Sequence, residues 1–575
     1  MTNRRAHRWL ASLAMAQAAW SAAAADTASP PPVCVPALSA NDVEHGFHFE
    51  RGCDIPPRRL ARFALDAERA ARRVHLSGRE RVAFAKGADL VFAAAPRAFE
   101  RVAPLVLTLA AQGAGRPGFD FVAYARNWVA RYGLLLRQMR VLWTDDPLEP
   151  QAQAAVAALD LDTAATLLSA ELIEPGAPVE LTATRSFEAG LVEWLRFSPK
   201  RSLTFMRFAH AMRPGDADIA ELYGDLLEEM KLPEQAQPVV EALALRYRAL
   251  SQDKPDRWRP RYARELTRLG RLYVELALPQ DAEMAYLRAL AVTWALARER
   301  PERYGPDVAA LLEALGALYR DADRPGDAID IYREALKLER ALVQYDAAAY
   351  SAGLATTLND LGVLYATMHR ADDAQHAYAE ALGLQRALVR ENALAHRAAL
   401  ARTLNNLGNL YSDGGRLDEA EQAYGEALSI RRQLARESPS QDGPDMARTL
   451  TNIGVLYRKQ GRALQAEHAY REALRTLQPL ERAAPGTFSA DQARVLNNLG
   501  VLLSKSHRPS EAEGAYRRAA ALYADLAKKQ PAAYRADYAR VLGNLAKLYA
   551  AMGRKREAQT AQEAASQLRS AEHAP

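Results

Sequence analysis

Apolar residues recur along the last two-thirds of the chain with the spacing of a helix and, over a longer distance, with a fixed repeat. The clearest example is the stretch LNNLGNLY, in which Leu404, Leu407 and Tyr411 fall on one face of a helix. Related stretches begin at residues 358, 451 and 496. The polar residues between the apolar ones fall on the opposite face. The pattern therefore predicts a series of similar amphipathic helices.

The glycine of this stretch measures the repeat. Six successive glycines lie 46 residues apart, one further step falls on an alanine, and the two steps before the series are 46 and 34 residues long. The members of this column are Gly190, Gly224, Gly270, Gly316, Gly362, Gly408, Gly454, Gly500 and Ala546. Counted from it as position 0, alanine recurs at +12 and +19, and tyrosine at +3 and +16. Such a period is typical of a solenoid, and these small and aromatic columns predict two closely packed antiparallel helices per unit.

One unit can be read in detail around Gly408. Its first helix is predicted from about residue 399 to 412, and the residues 413–416 (DGGR) break it. The second helix begins at Asp418 and Glu419, whose charges suit a helix N-terminus, and it ends near residue 438. In the final unit Gln562 and Ser566 replace apolar residues, which predicts a solvent-facing capping helix that ends the array near residue 570.

These columns resemble the tetratricopeptide repeat, with a unit of 46 rather than the usual ~34 residues. Long units with an LNNL core are similar to those of kinesin light chains. The resemblance implies an all-α fold, a right-handed superhelical solenoid of antiparallel helix pairs over residues 176–575, with the first helix of each pair lining the inner surface. The extra residues are expected to lengthen the helices and the connection between repeats. Residues 60–175 also have helical apolar spacing, but without a clear repeat phase.

The first 25 residues are typical of a secretory signal peptide. Three arginines precede an Ala- and Leu-rich run, and three alanines stand before Asp26. We therefore expect a periplasmic or secreted protein whose mature chain has no membrane span; the alternative is an uncleaved membrane anchor. Removing three of the 75 basic residues leaves 72 against 70 acidic residues, a net charge of +2. Such a balance does not favour nucleic acid as a partner.

Both cysteines of the chain lie in the segment 26–59, which is predicted to be a linker. In an oxidising compartment Cys34 and Cys53 are expected to form a disulfide. The alternative is a metal site, because His45 and His48 lie between them, although this spacing matches no standard zinc module.

The sequence contains no phosphate-binding loop, dinucleotide fingerprint, metalloprotease helix or nucleophile elbow. We therefore expect a protein that is not an enzyme, needs no cofactor and acts as a scaffold for protein or peptide binding. The alternative is an enzyme or a metal-dependent module within the N-terminal 175 residues.

The candidate binding surface is the polar face of the first helices in the last four repeats. In related repeats the equivalents of positions −6 and −2 commonly hold a peptide. The residues assigned to this peptide-binding groove are Arg402, Arg448, Arg494 and Arg540 at −6, Asn406, Asn452, Asn498 and Asn544 at −2, Lys547 at +1, and Lys459 and Lys505 at +5. Asparagine amides can pair with a peptide backbone and arginine with a carboxylate, so the expected partner is a protein or an extended acidic peptide. The alternative is a solvated face whose arginines pair with acids of adjacent helices.

Overall fold

The computed structural model describes residues 35–40, 47–53, 55–74, 76, 78–95, 98–113, 119–139, 149–170 and 179–570. The predicted signal peptide, Cys34 and His45 lie outside these residues. The chain divides into two compact units: unit 1 ends at Asp346, and unit 2 begins at Ala347.

Unit 1 begins with two short strands followed by helices. Strands β1 (Ala37–Ala40) and β2 (Phe47–Arg51) pair in the antiparallel direction. The helices are α1 (Pro57–Arg73), α2 (Gly78–Ala94), α3 (Phe99–Gln112), α4 (Phe121–Gln138), α5 (Glu149–Ala157), α6 (Leu161–Ala170), α7 (Val179–Leu195), α8 (Pro199–Met212), α9 (Ala217–Glu229), α10 (Pro233–Asp253), α11 (Pro255–Glu275), α12 (Pro279–Glu299), α13 (Pro301–Asp321) and α14 (Pro325–Tyr345).

The strand pair corrects the prediction that residues 26–59 form only a linker. Phe49 of β2 packs against Phe63, 5.7 Å between ring centroids, and this cluster extends to Phe92 and Phe99. The buried aromatic rings remove enough apolar surface from water to fix a hairpin that is too short to be stable alone. The backbone N–H of Leu38 also donates to Oδ1 of Asp89 at 2.7 Å and joins β1 to α2.

Unit 2 consists of five helix pairs. Its helices are α15 (Ala347–Thr367), α16 (Ala371–Glu391), α17 (Ala393–Asp413), α18 (Leu417–Glu437), α19 (Pro439–Lys459), α20 (Ala463–Ala483), α21 (Ser489–Lys505), α22 (Pro509–Lys529), α23 (Pro531–Ala551) and α24 (Lys555–Ser570). In most repeats, two helices of 21 residues, a three-residue turn and one linking residue make up the 46-residue period. The extra residues therefore lengthen the helices, as predicted, but the connection between repeats is short rather than long.

The turn within each pair has the same backbone geometry throughout both units. The residue at +7 has a positive φ, between 56° and 77° in the repeats from Phe197 onward. The N–H of +7 donates to the carbonyl of +4, and the N–H of +8 donates to that of +3, as for Gly461 and Arg462. This is a Schellman motif, which satisfies the last carbonyls of the first helix and starts the second helix a fixed three residues later.

The same turn identifies a helix pair that the sequence analysis did not assign to the repeats. Leu159 has φ 56°, and the N–H groups of Leu159 and Asp160 donate to Val156 and Ala155. Counting back seven residues places position 0 at Ala152, which is fully buried. The turn between α5 and α6 is thus in phase with the turns of the solenoid, while the start of the solenoid near residue 176 stays a prediction.

Close packing within each pair depends on the columns at 0 and +16. A Cβ added to any of the six glycines from Gly270 to Gly500 would lie 2.3–2.7 Å from the nearest ring atom of the tyrosine at +16. Each of these tyrosine rings is buried. In the last pair Ala546 replaces the glycine and an exposed Gln562 replaces the tyrosine, as expected for a capping helix. The predicted all-α solenoid of antiparallel helix pairs is confirmed. Within the part of the chain that the structure describes, no helix is long and apolar enough to cross a membrane.

Candidate functional site: the first-helix surface of unit 2

The candidate surface lies on the first helices of unit 2, namely α15, α17, α19, α21 and α23. Successive first helices contact one another directly, whereas successive second helices approach less closely. The layer with the shorter spacing is the inner layer of a curved stack, so the first helices form the concave side of this unit. The apolar face points away from that side: Leu404 and Leu407 are buried, while Arg402 is exposed.

Three of the four predicted arginines have an acidic partner on their own helix. Arg448 pairs with Asp445 at 2.9 Å, Arg494 with Asp491 at 2.5 Å, and Arg540 with Asp537 at 2.6 Å. These aspartates occupy position −9, one turn before each arginine. They recur with the 46-residue period and are therefore visible in the sequence. Arg402 has Ala399 at that position and forms no ion pair among the described residues.

The predicted asparagines join successive first helices. The amide of Asn406 donates to Oδ1 of Asn359 at 3.0 Å, and that of Asn544 to Oδ1 of Asn497 at 2.9 Å. Both bonds run from position −2 of one repeat to position −3 of the repeat before it. The amide of Asn452 donates to two side chains of the preceding repeat, Asn405 and Asn409, at 3.1 and 3.0 Å.

This asparagine ladder has two consequences. The buried residues Asn359 and Asn497 obtain hydrogen-bond partners, which an apolar setting requires. For Asn498 the preceding repeat has Thr451 at position −3 instead of an asparagine, and Asn498 is half-buried. Three of the four amides predicted to bind a ligand have an intramolecular hydrogen bond. A binding role remains a prediction that rests on their remaining hydrogen-bonding capacity.

The three predicted lysines differ in their surroundings. Nζ of Lys459 donates to the carbonyl and hydroxyl oxygens of Ser412 at 2.9 and 3.0 Å and lies 3.2 Å from Asp413. It therefore stabilises the C-terminal end of the preceding first helix. Lys505 and Lys547 are exposed and form no ion pair with the residues that the structure describes.

The charge of this surface is therefore lower than the sequence analysis expected. Asp413 and the column formed by Asp445, Asp491 and Asp537 bring four carboxylates to this surface. These four carboxylates stand against seven predicted cations. The exposed cations without an ion pair among the described residues reduce to Arg402, Lys505 and Lys547. The surface keeps a positive excess, but it is concentrated at three side chains.

A further column of arginines, at +8, recurs with the same 46-residue period but was not among the predicted site residues. In unit 2 it comprises Arg370, Arg416, Arg462, Arg508 and Arg554. Arg462 lies over the ring of Tyr457, 4.2 Å from its centroid, and its Nη1 donates to Glu421 of the preceding repeat at 2.6 Å. Arg554 makes the same contacts with Tyr549 and Glu513. These arginines join neighbouring repeats, and desolvation is offset by the carboxylate and the aromatic face.

The predicted N-terminal sites fall partly outside the described residues. Cys53 is disulfide-bonded. Because Cys34 lies outside the described range, the Cys34–Cys53 pairing stays a prediction. His48 lies in β2, and the described residues contain no group of three or more His, Cys, Asp or Glu side chains that could hold a metal ion. Cys34 and His45 of the metal alternative are not among them.

Comparison with known proteins gives the following matches. A family model described as tetratricopeptide repeat matches residues 400–439, 446–478 and 492–528, and a second one matches residues 539–572. Each match begins within a first helix of unit 2 and runs into the following second helix. No curated protein matches the chain.

Solved structures are similar over part of the chain. BtubC (BKLC) from P. vanneervenii is 26% identical, with 42% of this chain and 90% of that chain covered and a TM-score of 0.36. A tetratricopeptide repeat protein from Parabacteroides merdae ATCC 43184 is 14% identical, with 53% and 93% covered and a TM-score of 0.35. The apo form of RapI is 15% identical, with 52% and 99% covered and a TM-score of 0.36.

Proposed function

The chain is a tetratricopeptide-repeat protein, and from this premise we propose that it is a non-catalytic scaffold that holds an extended acidic peptide on the first-helix surface of unit 2. Repeats of this family generally serve protein interaction, which sets the class of the partner. What supports this particular surface is the position of Arg402, Lys505 and Lys547. All three are exposed on the inner layer, and each forms no ion pair with any described residue.

The paired residues on the same surface support an extended ligand. The ion pairs with their aspartates restrict the side chains of Arg448 and Arg494. Each guanidinium keeps N–H donors that its aspartate does not use and that a ligand could accept from. The asparagine ladder presents amides at the spacing of the repeats and can pair with a peptide backbone without regard to its sequence. We therefore assign affinity to the three exposed cations and orientation to the asparagines.

The N-terminal segment supports a proposal about the compartment. We propose secretion or export to the periplasm, on the Ala-rich run and small-residue cleavage site of residues 1–25. The disulfide at Cys53 agrees with an oxidising environment.

The binding experiment uses the mature chain and a library of unstructured peptides with net negative, zero and net positive charge. Negative peptides should bind, and the triple reversal Arg402→Glu/Lys505→Glu/Lys547→Glu should weaken that binding on the order of tenfold or more at low salt. The loss should shrink as salt increases, because the attraction in the unmodified chain is then already screened. The helical spectrum and melting temperature should not change, since all three side chains are exposed.

The matched control reverses three exposed arginines on second helices, Arg436, Arg475 and Arg518, and changes the net charge equally. It should leave peptide binding within a factor of about two, because these residues lie on the other layer. Equal loss in both triple variants would mean that overall charge, not the first-helix surface, attracts the peptide. Unchanged binding in the first triple variant would remove the surface from consideration.

A further inference from the structure

A second feature lies in unit 1, away from the surface described above. An open pocket of ≈450 Å³ is formed where the turn between α8 and α9 meets α10 and the beginning of α11. Its charged lining consists of Arg213, Arg246, Arg257 and Arg261, with Asp216 and Asp218. Four guanidinium groups against two carboxylates leave a formal excess of two positive charges.

The two aspartates are already engaged. Asp216 pairs with Arg213 at 2.8 Å, and its Oδ1 also accepts from the N–H groups of Asp218 and Ile219 at the start of α9. Arg261 lies within ion-pair distance of Asp218 at 3.8 Å and of Glu221, outside the pocket lining, at 3.9 Å. Arg246 and Arg257 are exposed and form no ion pair with any residue that the structure describes.

Aromatic packing holds the arginines in place. The ring of Trp258 stacks on Tyr247, 5.5 Å between centroids and 21° between planes, and Tyr247 is fully buried with its hydroxyl donating to Glu221 at 2.8 Å. Arg257 and Arg261 lie 4.6 and 5.3 Å from the centroid of this indole. Because the indole is fixed by a buried neighbour, it restricts both side chains before any ligand arrives.

A glycine in the turn between α8 and α9 leaves space for an arginine of α10. A Cβ at Gly215 would lie 3.2 Å from Nη1 of Arg246, so the glycine lets this guanidinium rest against the turn. Any larger residue would compete with Arg246 for the same space. Arg246 and Arg213 therefore line the same pocket although both side chains are positively charged.

The arginines that α11 contributes to this pocket differ from their counterparts in the later repeats. Arg257 and Arg261 occupy positions −13 and −9 of the repeat at Gly270. At −9 the later repeats have Asp307, Gly353, Ala399, Asp445, Asp491 and Asp537. In the three last repeats an aspartate at −9 neutralises the arginine at −6, whereas here both positions are arginine. The repeat architecture therefore does not require this positive cluster.

We propose that this pocket binds a multiply charged phosphate-type oxyanion. Guanidinium groups donate paired hydrogen bonds to phosphoryl oxygens, and Arg246 and Arg257 have that capacity free of carboxylate partners. An anion with two or more charges would remove the repulsion among four arginines. Its phosphate can belong to a soluble molecule or to a lipid headgroup.

The soluble case is tested by calorimetric titration of the mature chain with inorganic pyrophosphate at physiological ionic strength. Saturable one-to-one binding is expected, and Arg246→Gln/Arg257→Gln should weaken it on the order of tenfold or more. The matched control Arg288→Gln/Arg475→Gln removes the same charge from exposed helical arginines elsewhere and should bind as the unmodified chain does. Both variants should melt like the unmodified chain.

The lipid case is tested by flotation with phosphatidylcholine vesicles, with and without phosphatidic acid. Flotation that needs phosphatidic acid and is lost in Arg246→Gln/Arg257→Gln but kept in the control identifies a headgroup; pyrophosphate binding without flotation identifies a soluble phosphate. The proposal is overturned if neither probe binds, or if the pocket variant and the control lose binding to the same extent.

Discussion

The contact between position 0 and position +16 makes a sharp prediction for Gly454→Ala. The added Cβ would lie 2.5 Å from Cε1 of Tyr470 and 2.8 Å from its Cζ. Tyr470 is fully buried, so its ring cannot swing into solvent and the two helices of the pair must separate. Overpacking of this kind typically costs about 1–3 kcal/mol.

The control is Gly425→Ala in α18, where an added Cβ has nothing within 4 Å. Both glycines are helical, so the gain of about 0.5–1 kcal/mol from replacing glycine by alanine is common to both variants. The difference between them therefore isolates the overpacking cost. Gly443 would be a poor control, because a Cβ there would lie 3.0 Å from Cδ1 of Leu480.

The assay is urea unfolding of the mature chain followed by the helical circular dichroism signal. Gly454→Ala should lower the midpoint and Gly425→Ala should raise it slightly. The cost of Gly454→Ala should also fall by more than half in a Tyr470→Leu background, where the ring is absent. The reasoning is refuted if the two alanine variants shift the midpoint equally, or if Tyr470→Leu leaves the cost of Gly454→Ala unchanged.

Two further predictions concern the turns and the N-terminal hairpin. His507 has φ 57° at the +7 position of the turn, a conformation that favours glycine. His507→Gly should therefore stabilise unit 2 by about 0.5–1 kcal/mol, and Gly461→Ala should destabilise it by a similar amount, both measured as shifts of the urea midpoint. A loss of stability with His507→Gly would contradict the assignment of strain. Burial raises the pKa of the Asp89 carboxyl to about 6, although the hydrogen bond from Leu38 opposes this. The folded state therefore binds the carboxyl proton more tightly than the unfolded state does, and the stability of the protein falls as pH rises from about 4 to about 6. Asp89→Asn should remove this part of the pH dependence and raise stability at neutral pH; parallel stability curves for the two proteins would contradict it.

The arginines at +8 are expected to couple neighbouring repeats. Each of these arginines stands at the end of the turn within its own repeat. The arginines that precede α20, α22 and α24 each donate a hydrogen bond to a glutamate of the repeat before. A repeat without its neighbour would leave that glutamate and one apolar face exposed. Unit 2 is therefore expected to lose its structure cooperatively between adjacent pairs rather than one helix at a time.

The sequence by itself determined what depends on local periodicity. A spacing of 46 residues fixed the repeat, the glycine and tyrosine columns fixed which faces meet, and polar residues at Gln562 and Ser566 marked the end of the array. These conclusions follow because a helix of known pitch places each residue on a known face. The sequence does not indicate the phase of α5 and α6, because Ala152 stands at the glycine position, and only the backbone turn shows it.

Which polar side chains form hydrogen bonds or ion pairs within the protein depends on the tertiary structure. Periodicity placed Arg448 and Asn452 on the polar face, but not the bonds of Asn452 to Asn405 and Asn409, because those partners lie one full repeat earlier and meet only after the helices stack. The hairpin of β1 and β2 likewise depends on distant phenylalanines of α1, α2 and α3. A helix face is fixed by the pitch of one segment, whereas a hydrogen bond or an ion pair is fixed by the distance between two segments, and that distance exists only in the folded chain.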